Sequence, residues 1–214
     1  TQLRYIDFSN NGFIDYVNGQ PFGAEKLEYL NFINNGITGA EQAIFSTNMA
    51  FLKILLLGHN KLGMNLGSFN TSELETLQVL DLSFNEISVI PKDFFSRFPS
   101  LKQVNLTGNN ISHLDVELSA LDNLELLNLS RNSIRTLSSP MRNELDSLNH
   151  PLRLVLTGNP LSCECQDLTS IDWLMKSDVS IASKPYLTCQ DSWNGVYNLD
   201  TLDIEELRKK CFPN

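Results

Sequence analysis

One pattern of apolar and polar positions occurs seven times along the chain. It has the form L-x-x-L-x-L-x-x-N-x-L, as in Leu101, Val104, Leu106, Asn109 and Ile111. The apolar residues at the fourth and sixth positions alternate with a variable residue, which is the two-residue period of a β-strand. Each copy therefore predicts a short strand that ends in a turn at the Asn. The copies open 23 to 27 residues apart, at Leu3, Leu27, Leu52, Leu77, Leu101, Leu124 and Pro151.

Self-similarity at this period is typical of a leucine-rich repeat solenoid, because no repeat can bury its own apolar face and neighbours must stack. The predicted fold class is α/β, with a curved parallel β-sheet on the concave side and loops and short helical turns on the convex side. A column of Asn amides, from Asn11 to Asn159, is expected to pair with loop backbone. The convex half of the core is expected to contain Phe22, Phe45, Phe69, Phe94 or Phe95, Leu118 and Met141.

The repeats predict two regions in the chain. Residues 1–161 hold the seven repeats, and residues 162–214 are expected to form a cysteine-rich cap that covers the last repeat. A solenoid needs a polar cap at each end, and the first consensus Leu follows only two residues after the start. We therefore expect the chain to be the carboxy-terminal piece of a longer array.

All four cysteines lie in the last 52 residues: Cys163, Cys165, Cys189 and Cys211. An even number in this arrangement predicts two disulfides and an oxidising compartment. A zinc site is the competing interpretation, but the last two cysteines are 22 residues apart and no His follows His150. Three disulfide connectivities are open on these grounds.

Several motifs resemble the Toll-like receptor family. The segment L-x-L-T-G-N-P-L-S-C-E-C over 154–165, and I-D-W-L over 171–174, are similar to the carboxy-terminal cap of these receptors, and I-P-K-D-F-F-S-R-F-P-S-L over 90–101 is similar to their repeats. The resemblance implies Cys163–Cys189 and Cys165–Cys211 pairing, a membrane-spanning helix and a cytoplasmic signalling domain beyond the chain, and receptor pairing in innate immunity. The C-x-C cap is also shared with adhesion or matrix repeat proteins and with soluble, antibody-like repeat receptors, which remain the alternatives.

The formal net charge of −9 argues against a nucleic acid ligand, because phosphate binding needs a clustered basic face. The resemblance to Toll-like receptors implies instead a protein or microbial ligand and a second receptor chain, contacted through the carboxy-terminal region. The three histidines are unclustered and support no inference. The expected location is the cell surface in preference to an endosome. Four arginines form one loose basic group: Arg131, Arg135, Arg142 and Arg153. They are either scattered solvated charges, which we favour, or a contact for a partner.

Four N-x-S/T sequons predict N-glycosylation of an extracellular protein, at Asn70, Asn105, Asn110 and Asn128. Asn105 and Asn128 are both fifth in their repeats, which places them one strand apart on the concave sheet. Glycans there would obstruct that face and direct partners to a lateral face or to the cap. The candidate contact surface then includes Arg135, Arg142, Asp191 and Trp193, although burial is the favoured interpretation for Trp193.

No catalytic motif is present in the sequence. It contains no G-x-S-x-G, no H-E-x-x-H and no glycine-rich phosphate loop, and the cysteines are assigned to the cap. We therefore expect neither an enzyme nor a cofactor or metal site.

Overall fold

A computed structural model describes residues 3–12, 25–39, 49–64, 66 and 74–212. Each of the seven repeats contributes one strand of three residues to a parallel sheet, as the sequence predicts. The strands follow one another in chain order, and an eighth strand from the cap completes the sheet. They are β1 Tyr5–Asp7, β2 Tyr29–Asn31, β3 Ile54–Leu56, β4 Val79–Asp81, β5 Gln103–Asn105, β6 Leu126–Asn128 and β7 Arg153–Val155. The predicted fold class, a leucine-rich repeat solenoid, is confirmed.

The strands pair so that equivalent repeat positions stand side by side. Leu80 pairs with Leu55 on one side and with Val104 on the other, and the same register holds from β1 to β7. These central residues point into the core and are buried, whereas their strand neighbours point to the concave surface. Because the side-chain period of a strand is two, this register keeps every consensus apolar residue inside.

The convex side carries short helical segments and large apolar side chains. They include 3₁₀ turns at Leu62–Met64 and Phe94–Arg97, and helix α1 at Ser139–Asp146, which begins where the Ser138 side chain accepts a hydrogen bond from the Met141 amide. Phe94, Phe95, Leu118 and Met141 are buried, as predicted. Phe22, Phe45 and Phe69 lie outside the described residues.

The cap consists of short strands and helices that follow the last repeat. They are β8 Leu161–Ser162, helix α2 Leu168–Lys176, β9 Ser180–Ala182, a 3₁₀ turn at Lys184–Tyr186, β10 Thr188–Gln190, β11 Val196–Asn198 and helix α3 Ile204–Cys211. Strand β9 pairs in parallel with β7, so the cap extends the repeat sheet by one strand. A separate small sheet has the order β11–β10–β8, with β10 antiparallel to β11 and parallel to β8.

The described part of the chain was searched for membrane-spanning helices and for metal-binding groups. None of its helices has the length and apolar character needed to cross a bilayer. Within the same residues, no group of three or more His, Cys, Asp or Glu side chains is placed to hold a metal ion.

Candidate interaction surfaces

A column of Asn side chains, which we call the Asn ladder, fixes the point at which the chain leaves each strand. The Asn109 amide nitrogen donates to the carbonyls of Leu82 and Leu106, at 3.0 and 2.9 Å. Its oxygen accepts from the backbone amides of Asn85 and Ile87, at 2.9 and 3.0 Å. One side chain thus satisfies four backbone groups in two neighbouring repeats. Related bonding is made by Asn35, Asn60, Asn85, Asn132 and Asn159.

The residue before each ladder Asn lies in the left-handed backbone region. The φ angles run from 52° to 77° at Asn10, Asn34, His59, Phe84, Gly108, Arg131 and Gly158. A large side chain in this conformation costs about 1–2 kcal/mol, so the repeat imposes a strained geometry on three of the seven. His59 and Phe84 stack with ring centroids 4.4 Å apart, and we call this pair the aromatic ledge. It lies at the edge of the sheet where the strands end.

Gly108 is needed to seat the aromatic ledge. A Cβ atom at Gly108 would lie 2.4–2.8 Å from three ring atoms of Phe84, whereas at Gly158, the equivalent position two repeats on, the nearest atom would be Arg131 Cγ at 3.2 Å. We expect Gly108→Ala to lower the free energy of unfolding by about 3 kcal/mol and Gly158→Ala by about 1 kcal/mol. Urea denaturation of both variants, repeated in a Phe84→Ala background, measures the difference. Equal losses for the two glycines in the presence of Phe84 would contradict this account.

The concave face changes character along the array. At the third repeat position, Tyr5 and Tyr29 stack with centroids 4.2 Å apart, and Ile54 and Val79 continue the row. Beside this row the Glu28 carboxylate accepts hydrogen bonds from Arg4 and Lys53, at 2.7 and 2.8 Å. Farther along, β5 to β7 present Gln103, Leu126 and Arg153 at the same position. The first four strands therefore carry an apolar row that Gln103 interrupts and Arg153 ends, with Leu126 between them.

Two of the four sequon residues stand side by side on this face. Asn105 pairs in register with Asn128, as expected from their shared repeat position. The Asn105 oxygen accepts from the amide and hydroxyl of Thr107, and the Asn128 oxygen accepts from those of Ser130. Both side-chain oxygens therefore brace the turn. The Asn105 amide nitrogen, the atom to which a glycan would be attached, donates to the Asp81 carboxylate at 3.1 Å. Asn110 is exposed on the loop after the ladder, and Asn70 lies outside the described residues.

The four arginines occupy four different positions of the repeat unit. Arg131 is exposed at the strand exit, Arg135 on the following loop and Arg153 on the concave strand β7. Arg142 lies on α1, where its guanidinium donates to the Leu137 carbonyl and the Ser139 hydroxyl, at 3.0 and 2.9 Å. Arg142 is thus engaged in holding the start of α1, and the structure does not gather the four residues into one basic site.

The cap is fixed to the last repeats by covalent bonds and polar contacts. Disulfides join Cys163 to Cys189 and Cys165 to Cys211, which is the pairing that the family resemblance implies. Trp173, from the I-D-W-L motif, donates its indole N–H to the Asp146 carboxylate of α1, at 2.9 Å from the nearer oxygen. An open groove of about 890 Å³ lies between α1 and α2, with Trp173, Asp172 and Asp178 among its lining residues. The cap and the convex side of the last repeat therefore present one surface.

Asp172 joins the two outer helices of the cap. Its carboxylate lies 2.7 Å from the Lys176 ammonium and 3.1 Å from the Arg208 guanidinium. Burial favours a raised pKa for Asp172, but the contacts with these two cations outweigh it and lower the pKa. Asp172 therefore stays ionised and ties α2 to α3.

A hairpin tip of the cap is held by one carboxylate. Asp191 accepts hydrogen bonds from the backbone amides of Trp193 and Gly195, at 3.0 and 2.7 Å, and from the Tyr197 hydroxyl at 2.8 Å. Asp191 is buried, so it is an internal support and not a partner contact. Burial was the expectation for Trp193 and it is wrong: the side chain is 61% exposed, because the Asp191 bonds close the turn with Trp193 on the outside.

The bonds to Asp191 predict acid sensitivity of the cap. Burial favours a raised pKa for Asp191, but the hydrogen bonds from Tyr197, Gly195 and Trp193 outweigh it and hold the pKa below its usual 3.8. A lowered pKa stabilises the folded state above pH 3.8, and this contribution is lost as the pH falls through the lower, folded-state value. Thermal unfolding across this acid range should show the loss. Asp191→Asn should cost about 1 kcal/mol at neutral pH and weaken the acid dependence, whereas a wild-type slope in that variant would disprove the assignment.

The chain is similar in sequence to known leucine-rich repeat proteins. A family model described as leucine rich repeat matches residues 52–111 and 75–134. Toll-like receptor 4 of Pinctada imbricata is 30% identical over 195 residues, which cover 88% of this chain and 22% of that protein. Trophoblast glycoprotein of Macaca fascicularis is 32% identical over 117 residues, or 54% of this chain and 27% of that protein.

The fold is also shared with a solved structure. Human trophoblast glycoprotein (Wnt-activated inhibitory factor 1) superposes with a TM-score of 0.72 over 95% of this chain and 86% of that chain, at 22% identity, which shows the fold alone. The chain spans about a quarter of the length of the relatives that it matches in sequence. The chain has the leucine-rich repeat fold, and its similarity to Toll-like receptors, expected from its motifs, is confirmed.

Proposed function

We propose that the chain is an extracellular recognition module of a Toll-like receptor at the cell surface. It binds a protein or microbial ligand and pairs with a second receptor chain through its carboxy-terminal region, and it performs no catalysis. The relatives named as Toll-like receptors and the two disulfides support an extracellular, receptor-type role. Partner binding fits a repeat protein, because stacked repeats offer long continuous surfaces.

The positions of the sequons are the observation on which the choice of pairing surface rests. Asn105 and Asn128 stand on adjacent strands of the concave face, roughly 5 Å apart. Glycans at these residues would cover repeats five and six. No N-x-S/T sequon follows Asn128 in the sequence, so α1, the groove and the cap stay bare. Pairing through these bare elements is the arrangement that leaves the glycans undisturbed.

The first experiment tests whether the concave sequons carry glycans. Glycopeptide mass spectrometry on protein secreted from animal cells should find a glycan on Asn105 or Asn128, and on Asn110. The short distance between Asn105 and Asn128 predicts partial occupancy of one of them. Finding both unmodified would reopen the concave face as the binding surface.

The second experiment uses added glycans to block the proposed surface. Asp178→Asn creates the sequon N-V-S at the exposed rim of the groove between α1 and α2. We expect sedimentation velocity to show self-association of the secreted chain, and the glycan at this position to abolish it. A matched glycan at Asp7→Asn, which creates N-F-S on β1, should leave pairing intact. Pairing that survives the groove glycan and fails with the β1 glycan would contradict the proposal.

An adhesive or matrix glycoprotein is the second candidate, because a relative named as a glycoprotein and not as a Toll-like receptor also matches the chain. The full-length gene separates the two. A membrane-spanning helix followed by a cytoplasmic signalling domain supports the receptor, and its absence supports the adhesive protein.

A further inference from the structure

Three exposed apolar side chains lie on the β10–β11 turn, on β11 and at the end of α3. Trp193, Val196 and Phe212 are 61%, 60% and 67% exposed. The Ser192 hydroxyl donates to the Glu164 carboxylate at 3.2 Å, and Glu164 precedes Cys165, whose disulfide partner Cys211 precedes Phe212. Trp193 and Phe212 therefore flank the same disulfide. We call Trp193, Val196 and Phe212 the cap tip.

The cap tip is held rigidly. The three hydrogen bonds to Asp191 fix the turn that carries Trp193, and β10 and β11 pair on either side of it. Gly195 packs so closely on Tyr197 that a Cβ atom there would lie 2.5–2.7 Å from the Tyr197 side chain. Because the turn is braced in this way, the exposure of Trp193 is built into the fold, and the backbone that carries it needs no further ordering when something binds.

Charge and shape indicate the occupant. Lys209 and Lys210 are exposed in the last turn of α3. Lys210 borders the same small depression as Val196 and lies 3.2 Å from the Glu206 carboxylate, so Lys209 is the cation that faces outward. The apolar side chains project outward from a turn and a helix end, where a protein partner would need a matching cavity. A lipid interface yields to such a shape, and its headgroup layer is where Trp side chains accumulate and where Lys meets phosphate.

We propose that the cap tip binds the headgroup layer of a phospholipid bilayer, with Trp193 and Phe212 as the anchors and Lys209 beside the lipid phosphates. This binding is independent of the pairing surface under "Proposed function", because the groove between α1 and α2 is formed by other residues. A receptor module held in this way would have a fixed cap orientation at the membrane.

Vesicle binding of the secreted chain tests the proposal. Vesicles of phosphatidylcholine with a minority of phosphatidylserine should float the protein and shift Trp emission to shorter wavelength. Trp193→Ser should weaken vesicle binding about tenfold, since anchoring one aromatic side chain is worth at least that factor. Phe212→Ser and Lys209→Glu should each weaken it to a smaller extent. Near-ultraviolet circular dichroism checks that each variant keeps its fold.

Tyr186 supplies the matched control. It is 81% exposed in the cap and follows Pro185, whose carbonyl accepts from Asn198 at the end of β11 away from the turn. Tyr186→Ser should bind vesicles as the wild type does. No flotation of the wild type, or equal losses for Tyr186→Ser and Trp193→Ser, overturns the proposal. Loss of lipid-free self-association in Trp193→Ser, without loss of vesicle binding, also overturns it and assigns the cap tip to a second copy.

Discussion

Asn109→Ala is expected to lower the free energy of unfolding by about 4 kcal/mol, since four backbone groups lose their partner and each buried unsatisfied group costs about 1–3 kcal/mol before water relieves part of it. The side chain is buried between repeats four and five, bonded to Leu82 and Leu106 as donor and to Asn85 and Ile87 as acceptor. The loss is a large share of the whole stability of a domain. Urea denaturation followed by circular dichroism gives the value.

Two variants isolate the cause. Asn110→Ala changes the neighbouring exposed Asn and should leave stability within a few tenths of a kcal/mol, because exposed positions contribute little. Asn109→Asp keeps the acceptor and loses both donors, so it should also destabilise. An Asn109→Ala variant as stable as Asn110→Ala would refute the ladder as a source of stability.

Removal of the Cys163–Cys189 disulfide is expected to destabilise the chain by about 4 kcal/mol. The bond closes a loop over a sequence separation of 26, for which chain entropy alone gives about 3.5 kcal/mol, and both sulfurs are buried in the core. Cys189 pairs with Leu161 between β10 and β8, so the small sheet loses its covalent link. Thermal unfolding of Cys163→Ala/Cys189→Ala measures the loss.

The second disulfide serves as the comparison. Cys165–Cys211 closes the longer loop, with a sequence separation of 46, and chain entropy alone would rank it as the stronger of the two. However, both of its cysteines are partly exposed and Cys211 is the last residue of α3. Cys165→Ala/Cys211→Ala should therefore release α3 and leave the repeats folded. Hydrogen exchange that spreads into β5–β7 in this variant would contradict a local role.

The repeat core could be predicted because its signal is local. The fourth and sixth positions of each copy fix which side of a strand faces inward, and equivalent positions pair in register from Ile6 to Leu154. The ladder was equally readable, since each Asn stands at a fixed distance from its strand. Strand β9 was missed because Ser180–Ala182 has no consensus around it, and it is defined by pairing with β7.

The surface was harder to read than the core. Trp193 was expected inside because large apolar residues are usually buried, and the sequence does not show that Asp191 would turn the loop outward. Arg142 was grouped with other arginines, but its bonds at the start of α1 depend on tertiary structure. The left-handed backbone position that carries the aromatic ledge did have a signal in the sequence. Asn or Gly precedes the ladder Asn in four of seven copies, and these residues tolerate positive φ.

The continuation of the sheet into the cap has a consequence for how force and order pass along the molecule. In a repeat array each unit is stabilised by its neighbours, so the unit at the end governs where unwinding starts. Here that end unit shares three residue pairs of the sheet with the last repeat, and its own elements are closed by two covalent links. Tension applied at the end of α3 would pass through the Cys165–Cys211 link to the backbone that leads directly to β7, and would bypass the segment that contains β9. The β7–β9 pairing would therefore stay unloaded and keep covering the last repeat while force is carried into the solenoid.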